Sequence, residues 1–201
     1  MSGTIRAFLA VEMPEAVTVA LGELVGALSA ANLRGVRLVR PEGIHLTLRF
    51  LGDIDEGQVA PITDAVSRIV ETRPPSAVEL GDVGAFPNPE RPRVLWVGLA
   101  GETGLLRRLY GDIDECLVPL GFEKETRPFS PHLTVARIRD GTTLLDRRKA
   151  SDALCGAPLN RGLTIPVDSV SLMRSILRPA GAEYERLAYL KLGQPPGRGG
   201  G

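Results

Sequence analysis

Both histidines of the chain occupy matching positions in two short segments of similar sequence. The first segment covers residues 40–51 and reads RPEGIHLTLRFL, and the second covers residues 127–138 and reads RPFSPHLTVARI. Aligned without a gap, they share Arg, Pro, His, Leu and Thr at the same offsets. His45 and His132 are each followed by Leu and Thr, so the repeat offers two imidazoles and two hydroxyls at equal spacing.

Strand geometry predicts where these side chains point. Alternate residues of an extended strand share a face. His45, Thr47 and Arg49 should therefore share one face of the first segment, and His132 and Thr134 one face of the second. The opposite, aliphatic faces are expected to carry Ile44, Leu46, Leu48 and Phe50 in the first segment and Leu133 and Val135 in the second. If the segments face each other, two His–Thr pairs meet across a cleft.

Two such pairs suit the cleavage of a phosphodiester. The reaction needs a base for the nucleophile, an acid for the leaving oxygen and hydrogen-bond donors for the phosphoryl oxygens. Because the ordinary pKa of histidine is about 6.5, one imidazole can be neutral while its partner is protonated. A threonine hydroxyl can donate to a non-bridging oxygen. Arg49, on the same face as His45, would lower the pKa of that histidine.

Two other uses of the histidines are open at this point. One is a structural role, since a histidine on a strand is often simply a hydrogen-bonded residue. The other is a zinc site, which needs three or four His, Cys or carboxylate ligands. The His-x-Thr motifs contain no carboxylate, and threonine is a poor zinc ligand. We therefore predict no metal site and no cofactor.

Length and composition predict a globular protein of one domain. The chain has 201 residues, of which 43% are apolar and 24% charged. Its formal net charge is zero, so nucleic-acid binding would need a local basic patch. Cys116 and Cys155 are isolated, which indicates a reducing compartment. No apolar run reaches the roughly 18 residues of a membrane helix, and a signal-peptide layout is missing. We expect a cytoplasmic protein without a membrane partner.

Apolar periodicity and turn residues predict alternating helices and strands. Asp55 and Thr103 are candidate N-caps for the second and third helices, and Gly121 is a candidate helix stop. Pro179 to Gly181 are expected to turn a C-terminal hairpin. Helices are predicted over 14–31, 56–70, 103–120 and 144–154, and further strands over 4–12, 36–39, 78–83, 93–99, 167–177 and 184–192. Interspersed helices and strands indicate an α+β fold, and the repeat suggests a duplicated lobe with a pseudo-twofold axis between the motif strands.

Several segments of the chain resemble the two-histidine phosphoesterase superfamily and, within it, the RNA 2′,3′-cyclic phosphodiesterases, also called 2′-5′ RNA ligases. The paired His-x-Thr motifs carry the likeness to the superfamily. Longer strings carry the likeness to the narrower family, and they lie at residues 6–11, 45–52, 84–87, 92–98, 131–137 and 172–175.

The resemblance implies an α+β fold of two pseudo-symmetric lobes, with mixed or antiparallel sheets and outer helices around a central cleft. It extends the prediction to a single domain over residues 1–193, duplicated around 45–48 and 132–135, followed by a flexible Gly/Pro tail at 194–201. It also implies metal-independent hydrolysis of RNA 2′,3′-cyclic phosphate ends to 2′-phosphate, and reversible 2′-5′ ligation of tRNA half-molecules. The expected partner is such an RNA, and the expected state is a monomer.

The resemblance also assigns roles to the motif residues. His45 and His132 become the acid–base pair, with His45 as the acid to O3′ and His132 as the base to water, and Thr47 and Thr134 hold the phosphate. Arg137 matches a family arginine near the phosphate. In a regular strand Arg137 would face away from His132, so it reaches the site only past the strand end or beyond a bulge; a surface arginine is the alternative.

Three further residues are candidates for substrate binding. Arg40 and Arg127 each precede a motif histidine by five residues and could line an RNA path, although solvated arginines look the same in sequence. Phe129 could stack a base, and a core or loop role is the alternative. Two other functions remain open: a module that binds an RNA end or cyclic nucleotide without turnover, and a phosphodiesterase for small cyclic nucleotides.

Overall fold

The computed structural model describes residues 3–178 and 181–193, so the expected tail at 194–201 and residues 179 and 180 of the expected turn lie outside it. The described chain is an α+β fold in which helices and strands are interspersed. The strands are β1 (Thr4–Glu12), β2 (Val36–Leu38), β3 (His45–Asp55), β4 (Ser76–Phe86), β5 (Val94–Ala100), β6 (His132–Ile138), β7 (Thr164–Val167), β8 (Ser169–Arg178) and β9 (Gly181–Lys191). The helices are α1 (Glu15–Ala30), α2 (Val59–Val70), α3 (Gly104–Leu117) and α4 (Leu144–Gly156).

All described strands join one antiparallel sheet in the order β7-β4-β5-β6-β3-β1-β8-β9, with β2 also paired to β6. The two motif strands, β3 and β6, are neighbours at its centre. We call β3, β1, β8 and β9 the His45 half, and β6, β5, β4 and β7 the His132 half. The predicted α+β class with antiparallel pairing is confirmed, and the lobes share one continuous sheet.

The helices cover one face of this sheet with the apolar stripes that the sequence predicts. Predicted stripe residues that are fully buried include Val17, Leu21, Leu24 and Leu28 of α1, Ile62, Val66 and Val70 of α2, and Leu106, Leu109 and Ile113 of α3. In the last turn of α3 the buried residue is Leu117, whereas the predicted Cys116 is only half-buried. The buried helix residues form one hydrophobic cluster with inward-facing strand residues. Phe8 and Ala10 of β1 are equally buried but stand outside this cluster. The face of the sheet that carries no helices, called the open face below, therefore also has buried residues, at Phe8 and Ala10.

Local differences from the predictions have simple physical causes. Asp55 caps a 3₁₀ turn, Glu56–Gln58, that precedes α2: its side chain accepts from the backbone N–H of Gly57 at 2.8 Å. Thr103 stands at the N-cap position of α3 as predicted, but it has helical angles and its side chain makes no capping hydrogen bond; Glu102 accepts from the N–H of Gly104 instead. Gly121 ends the segment as predicted, with φ of +90°.

Two strand assignments also change. The first motif segment is not extended throughout, since Pro41–Gly43 form a 3₁₀ turn and β3 begins at His45. Strand β7 is absent from the sequence prediction because Pro166 interrupts its pattern. A proline is tolerated there, as β7 is an edge strand paired only to β4 among the described strands.

Candidate active site

The two motifs meet at a single registered pair, Leu46 of β3 with Leu133 of β6, both fully buried. In an antiparallel pair the residue before one partner lies beside the residue after the other. Continuing this register places His45 beside Thr134 and Thr47 beside His132. All four of these side chains are half-buried and lie on the face opposite the two leucines. The structure thus brings the predicted site residues together around a pseudo-twofold axis.

Each imidazole is anchored in the same way. His45 Nδ1 lies 2.9 Å from the carbonyl oxygen of Gly43, and His132 Nδ1 lies 2.7 Å from that of Ser130. A carbonyl oxygen only accepts, so Nδ1 carries the proton in both rings. Nε2 of each ring remains available to a substrate, and no described residue hydrogen-bonds to it. Both histidines are therefore oriented for proton transfer through Nε2.

Both motif strands contain a bulge three residues after the histidine. Leu48 of β3 and Val135 of β6 are each skipped in the pairing with the neighbouring strand, β1 or β5. An extra residue on one strand reverses the alternation of faces beyond it. Residues four and five positions after each histidine consequently change sides relative to a regular strand.

In β3 the bulge contradicts the predicted faces of Arg49 and Phe50. Arg49 turns to the helix side, where its Nε lies 2.9 Å from Oδ1 of Asp114 in α3 and its side chain is 12% exposed. Phe50 turns to the open face, pairs with Phe8 and is 59% exposed. Simple alternation missed this because a bulge adds one residue that sequence periodicity does not register.

In β6 the same bulge turns Arg137 towards the histidines. Beyond the bulge Arg137 lies on the open face, the face of the two histidines. Its positive charge adds to the burial that lowers the pKa of His45, and it partly offsets the burial that raises the pKa of Tyr184. Arg137 stands five residues after its histidine, as Phe50 does after His45. The two halves thus place an arginine and a phenylalanine at equivalent points of the open face.

His45 is enclosed by aromatic rings. Phe8 stacks on it with ring centroids 4.5 Å apart and an interplanar angle of 22°, and Tyr184 meets it edge-on at 5.0 Å and 86°. Burial lowers the pKa of His45 to about 4, and the charge of Arg137 adds to this effect. The predicted influence of Arg49 on this pKa is wrong; Arg137 supplies it. His45 is neutral at neutral pH in the substrate-free site.

Tyr184 reaches His45 from β9, the far edge of the sheet. Glycine at position 43 leaves room for this approach, because a Cβ there would lie 3.3 Å from the Tyr184 ring. Gly43 also supplies the carbonyl that anchors His45. One tyrosine from a distant strand therefore packs against both the imidazole and the peptide that orients it.

His132 has different neighbours. Phe86 of β4 meets its ring edge-on at 4.9 Å and 84°, and the centroid of Trp96 of β5 lies 6.4 Å away. Trp96 is directly opposite Thr134 in the ladder. It rests on Gly84, where a Cβ would lie 2.3 Å from the indole, so this floor requires glycine. The aromatic surroundings of the two histidines are thus built from unrelated positions.

Comparison with known proteins agrees with this duplicated geometry. The sequence model of the family described as "LigT like Phosphoesterase" matches residues 11–96 and, a second time, residues 97–184. Each match contains one His-x-Thr motif. The chain belongs to the LigT-like phosphoesterase family. The predicted membership of the two-histidine phosphoesterases is confirmed, and the chain is an enzyme of this class.

Relatives and solved structures match nearly the whole phosphoesterase. The RNA 2′,3′-cyclic phosphodiesterase of Archaeoglobus fulgidus is 36% identical over 184 residues, covering 90% of this chain and 97% of that one. The protein of the same name from Thermus thermophilus is 35% identical over 202 residues, covering 96% and 93%. The crystal structure of TT0787 from Thermus thermophilus superposes with a TM-score of 0.77 at 30% identity, covering 94% and 99%. Escherichia coli LigT, complexed with 3′-AMP, shares the fold at a TM-score of 0.71, with 22% identity over 96% of this chain and 100% of that one.

A charged network beside His45 escaped the sequence reasoning. Glu12 is the ladder partner of His45 on β1, and both its carboxylate oxygens accept from Arg186, at 2.8 Å each. Ser171 donates a further hydrogen bond to Glu12. The hydrogen bonds from Arg186 are the main reason why the pKa of Glu12 is lowered. Recognising this network requires the sheet order β3-β1-β8-β9, which the sequence alone does not provide.

The three remaining predicted substrate-binding residues have other described neighbours. Arg127 is 84% exposed and pairs with Glu125 at 2.9 Å. Phe129 stacks on Tyr110 with centroids 4.1 Å apart and packs against the core. Arg40 is exposed and precedes the 3₁₀ turn Pro41–Gly43. None of the three contacts a motif histidine among the described contacts.

The described residues, 3–178 and 181–193, contain no cluster of three or more His, Cys, Asp or Glu side chains that could hold a metal ion. Within the same ranges no helix is long and apolar enough to cross a membrane.

Proposed function

We propose that this phosphoesterase hydrolyses RNA 2′,3′-cyclic phosphate ends to 2′-phosphate ends without a metal ion. His45 and His132 act as the acid–base pair, and Thr47 and Thr134 bind the phosphate. The observation that carries the proposal is the symmetric pair of imidazoles, each anchored through Nδ1 and each beside the threonine of the other motif. Relatives at 36% and 35% identity bear the name of this activity.

In the proposed reaction His132 takes a proton from water while the water oxygen attacks phosphorus. The bond from phosphorus to O3′ breaks, and His45 donates a proton to O3′. The products are a 2′-phosphomonoester and a free 3′-hydroxyl, and the two histidines regain their starting states by exchanging protons with solvent. Each proton transfer typically contributes about 10²–10⁴ in rate. Hydroxyl donors from Thr47 and Thr134 stabilise the charge that develops on the non-bridging oxygens.

The acid role of His45 requires a substrate-dependent change in its protonation. Burial keeps the free imidazole neutral, because it lowers its pKa to about 4. The anionic phosphate of a bound substrate favours the charged form of a neighbouring imidazole. Glu12 acts in the same direction on His45. In this proposal the substrate itself raises the pKa of its acid catalyst.

Two residues of the open face complete the proposed substrate site. Arg137 supplies a guanidinium for the non-bridging phosphate oxygens. Phe50 offers an exposed ring to a nucleobase, and the Phe8 ring is a neighbour of both Phe50 and His45. A nucleoside cyclic phosphate has one anionic and one aromatic end, which suits this arrangement of charge and ring.

The deciding experiment is product identification. An oligonucleotide that ends in a 2′,3′-cyclic phosphate is incubated with the protein, in the presence and absence of EDTA, and the end group is determined by NMR and mass spectrometry. We expect a 2′-phosphate in both cases, and strongly reduced turnover by a His45→Ala/His132→Ala double variant. Binding without turnover would favour the binding-module alternative. Turnover of mononucleotides alone would favour a small-molecule phosphodiesterase, and loss of activity in EDTA would contradict the metal-free mechanism.

The proposal includes finer points that need their own tests. Joining of tRNA half-molecules is the reverse reaction, in which a 5′-hydroxyl replaces water; it is detected as a 2′-5′ linked product from two RNA halves. A monomer is expected in size-exclusion chromatography with light scattering. A reducing, cytoplasmic setting is supported by the two free thiols, Cys116 and Cys155.

A further inference from the structure

Two arginines stand directly opposite each other at one end of the open face. Arg37 of β2 is the ladder partner of Arg137 of β6. Directly opposed residues of an antiparallel pair lie on the same face of the sheet, and like charges in such a pair are destabilising. No carboxylate pairs with either guanidinium among the described ion pairs. The pair therefore holds uncompensated positive charge beside the site.

The position of Arg37 extends the site along the sheet. Arg137 lies on the same open face as His45 and His132, because the bulge at Val135 turns it there. Arg37 lies one strand away from Arg137, and its Nη2 is 3.7 Å from where a Cβ on Gly181 would stand, at the start of β9. An exposed guanidinium thus sits between β2 and the β8–β9 hairpin, at the edge of the region where the reacting phosphate is proposed to bind.

We propose that Arg37 binds the phosphodiester that precedes the terminal nucleotide of the RNA. This inference rests on the proposed function, in which Arg137 contacts the terminal phosphate, and it specifies the substrate class as an oligonucleotide. Two neighbouring phosphates of one strand would neutralise the opposed guanidiniums, each through charge-assisted hydrogen bonds. A mononucleotide supplies only one of them. The local basic patch that a chain of zero net charge needs for RNA binding is then the pair Arg37 and Arg137.

The test compares two product ligands, so that it does not depend on turnover. Dissociation constants of a trinucleotide ending in a 2′-phosphate and of uridine 2′-monophosphate are measured by calorimetry for wild type, Arg37→Gln and Arg37→Lys. We expect Arg37→Gln to weaken the trinucleotide several-fold and to leave the mononucleotide unchanged, while Arg37→Lys recovers most of the loss. The slope of log affinity against log salt concentration should fall in magnitude by about 0.7 for the trinucleotide, the loss of one phosphate contact.

The matched control is Arg68→Gln, an exposed arginine on α2, on the helix-covered side of the sheet. It should change neither affinity nor salt slope. Equal weakening of both ligands by Arg37→Gln, or an unchanged salt slope, would overturn the inference. Failure of the proposed function has a different signature, because wild type would then leave the cyclic phosphate intact whatever Arg37 does to binding.

Discussion

The His45 half and the His132 half hold their imidazoles by the same backbone hydrogen bond but surround them with different side chains. Both rings hold Nδ1 on a carbonyl two residues upstream. In the His45 half the long edge strand β9, of 11 residues, brings Tyr184 over the imidazole. The corresponding edge of the His132 half is β7, which has 4 residues. The two halves thus share what orients each imidazole, while their edge strands differ in length and only β9 brings a described aromatic ring to its histidine.

A second difference stands at the equivalent bulges. Phe50 in one half and Arg137 in the other occupy the fifth position after the histidine and reach the open face in the same way. The same kind of bulge thus presents an aromatic ring in the His45 half and a positive charge in the His132 half. An asymmetric ligand with an anionic and an aromatic part matches that asymmetry better than a symmetric one.

The largest expected effect is the loss of either histidine, which tests whether the unlike halves act as one unit. We expect His45→Ala and His132→Ala each to reduce kcat/KM for an oligonucleotide cyclic phosphate by about 10²–10⁴ or more. The double variant should be little worse than either single variant, because acid and base act in the same step. Circular dichroism checks that the fold is kept. Near wild-type kcat/KM in either single variant would exclude the dual-histidine mechanism.

Substitution of Thr47 and of Thr134 should reduce kcat by similar amounts, because the two hydroxyls play the same role in both halves. Removing a donor to a developing oxyanion costs about 10²–10³ in kcat, so Thr47→Ala and Thr134→Ala should fall in that range. Thr→Ser at either position keeps the hydroxyl and should keep much of the activity. Should Thr→Ser prove as damaging as Thr→Ala at both positions, methyl packing would be the operative feature.

Local sequence patterns predicted some features of this structure correctly. Alternation placed the faces correctly from His45 to Thr47 and from His132 to Thr134, and 3.6-residue periodicity found the buried stripes of α1, α2 and α3. Each of these features depends on neighbours along the chain. The repeat also predicted that the two motifs would meet, since only a pseudo-twofold arrangement satisfies both copies.

Features that depend on the sheet order were not predictable in the same way. The bulge at Leu48 reversed the faces of Arg49 and Phe50, and no periodicity in the segment marks it. Tyr184 reaches His45 from a strand that is 139 positions further along the chain (184 − 45). The pairing of Glu12 with Arg186 likewise joins the first strand to the last described one. Such long-range contacts follow from packing, which single-sequence pattern does not encode.

Adjacent substitutions test the bulge of the His45 half directly. Arg49→Met removes one partner of a buried ion pair and should lower the free energy of unfolding by about 3–5 kcal/mol, since the side chains of Arg49 and Asp114 are only 12% and 4% exposed. Phe50→Ala removes an exposed ring and should change stability by less than about 0.5 kcal/mol. Urea denaturation measures both. The opposite ranking would mean that the strand is regular.

Although Phe50→Ala should have little effect on stability, it should weaken substrate binding. Phe50→Ala is expected to cost about 1–3 kcal/mol of affinity for a 2′-phosphate-ended nucleotide, the range for stacking of one base on an aromatic side chain. Phe50→Trp keeps a stacking surface and serves as the matched control. Equal affinities of wild type and Phe50→Ala would remove Phe50 from the substrate site and leave it a surface residue.

The smallest expected effect is a change in the pKa of His45 when the neighbouring Tyr184 ring is removed. Tyr184→Ala should expose the imidazole to water and raise its pKa from about 4 towards the ordinary value of about 6.5, because hydration favours the charged form. Tyr184→Phe keeps the ring and should leave this pKa low. Imidazole NMR reads it directly, since the chain has only two histidines and a His132→Ala background assigns the signals.

The same variant should change how stability depends on pH. A depressed pKa of His45 in the folded state means that the unfolded chain binds more protons between pH of about 4 and about 6.5. The free energy of unfolding therefore rises with pH across this window, and the contribution of His45 is lost as pH falls through it. In Tyr184→Ala the folded and unfolded values approach each other, so this part of the pH dependence should shrink. If His45 in Tyr184→Ala still titrated near the wild-type value, the stacking of Phe8 and the strand itself would be sufficient to exclude water, and the two halves would not differ through their edge strands.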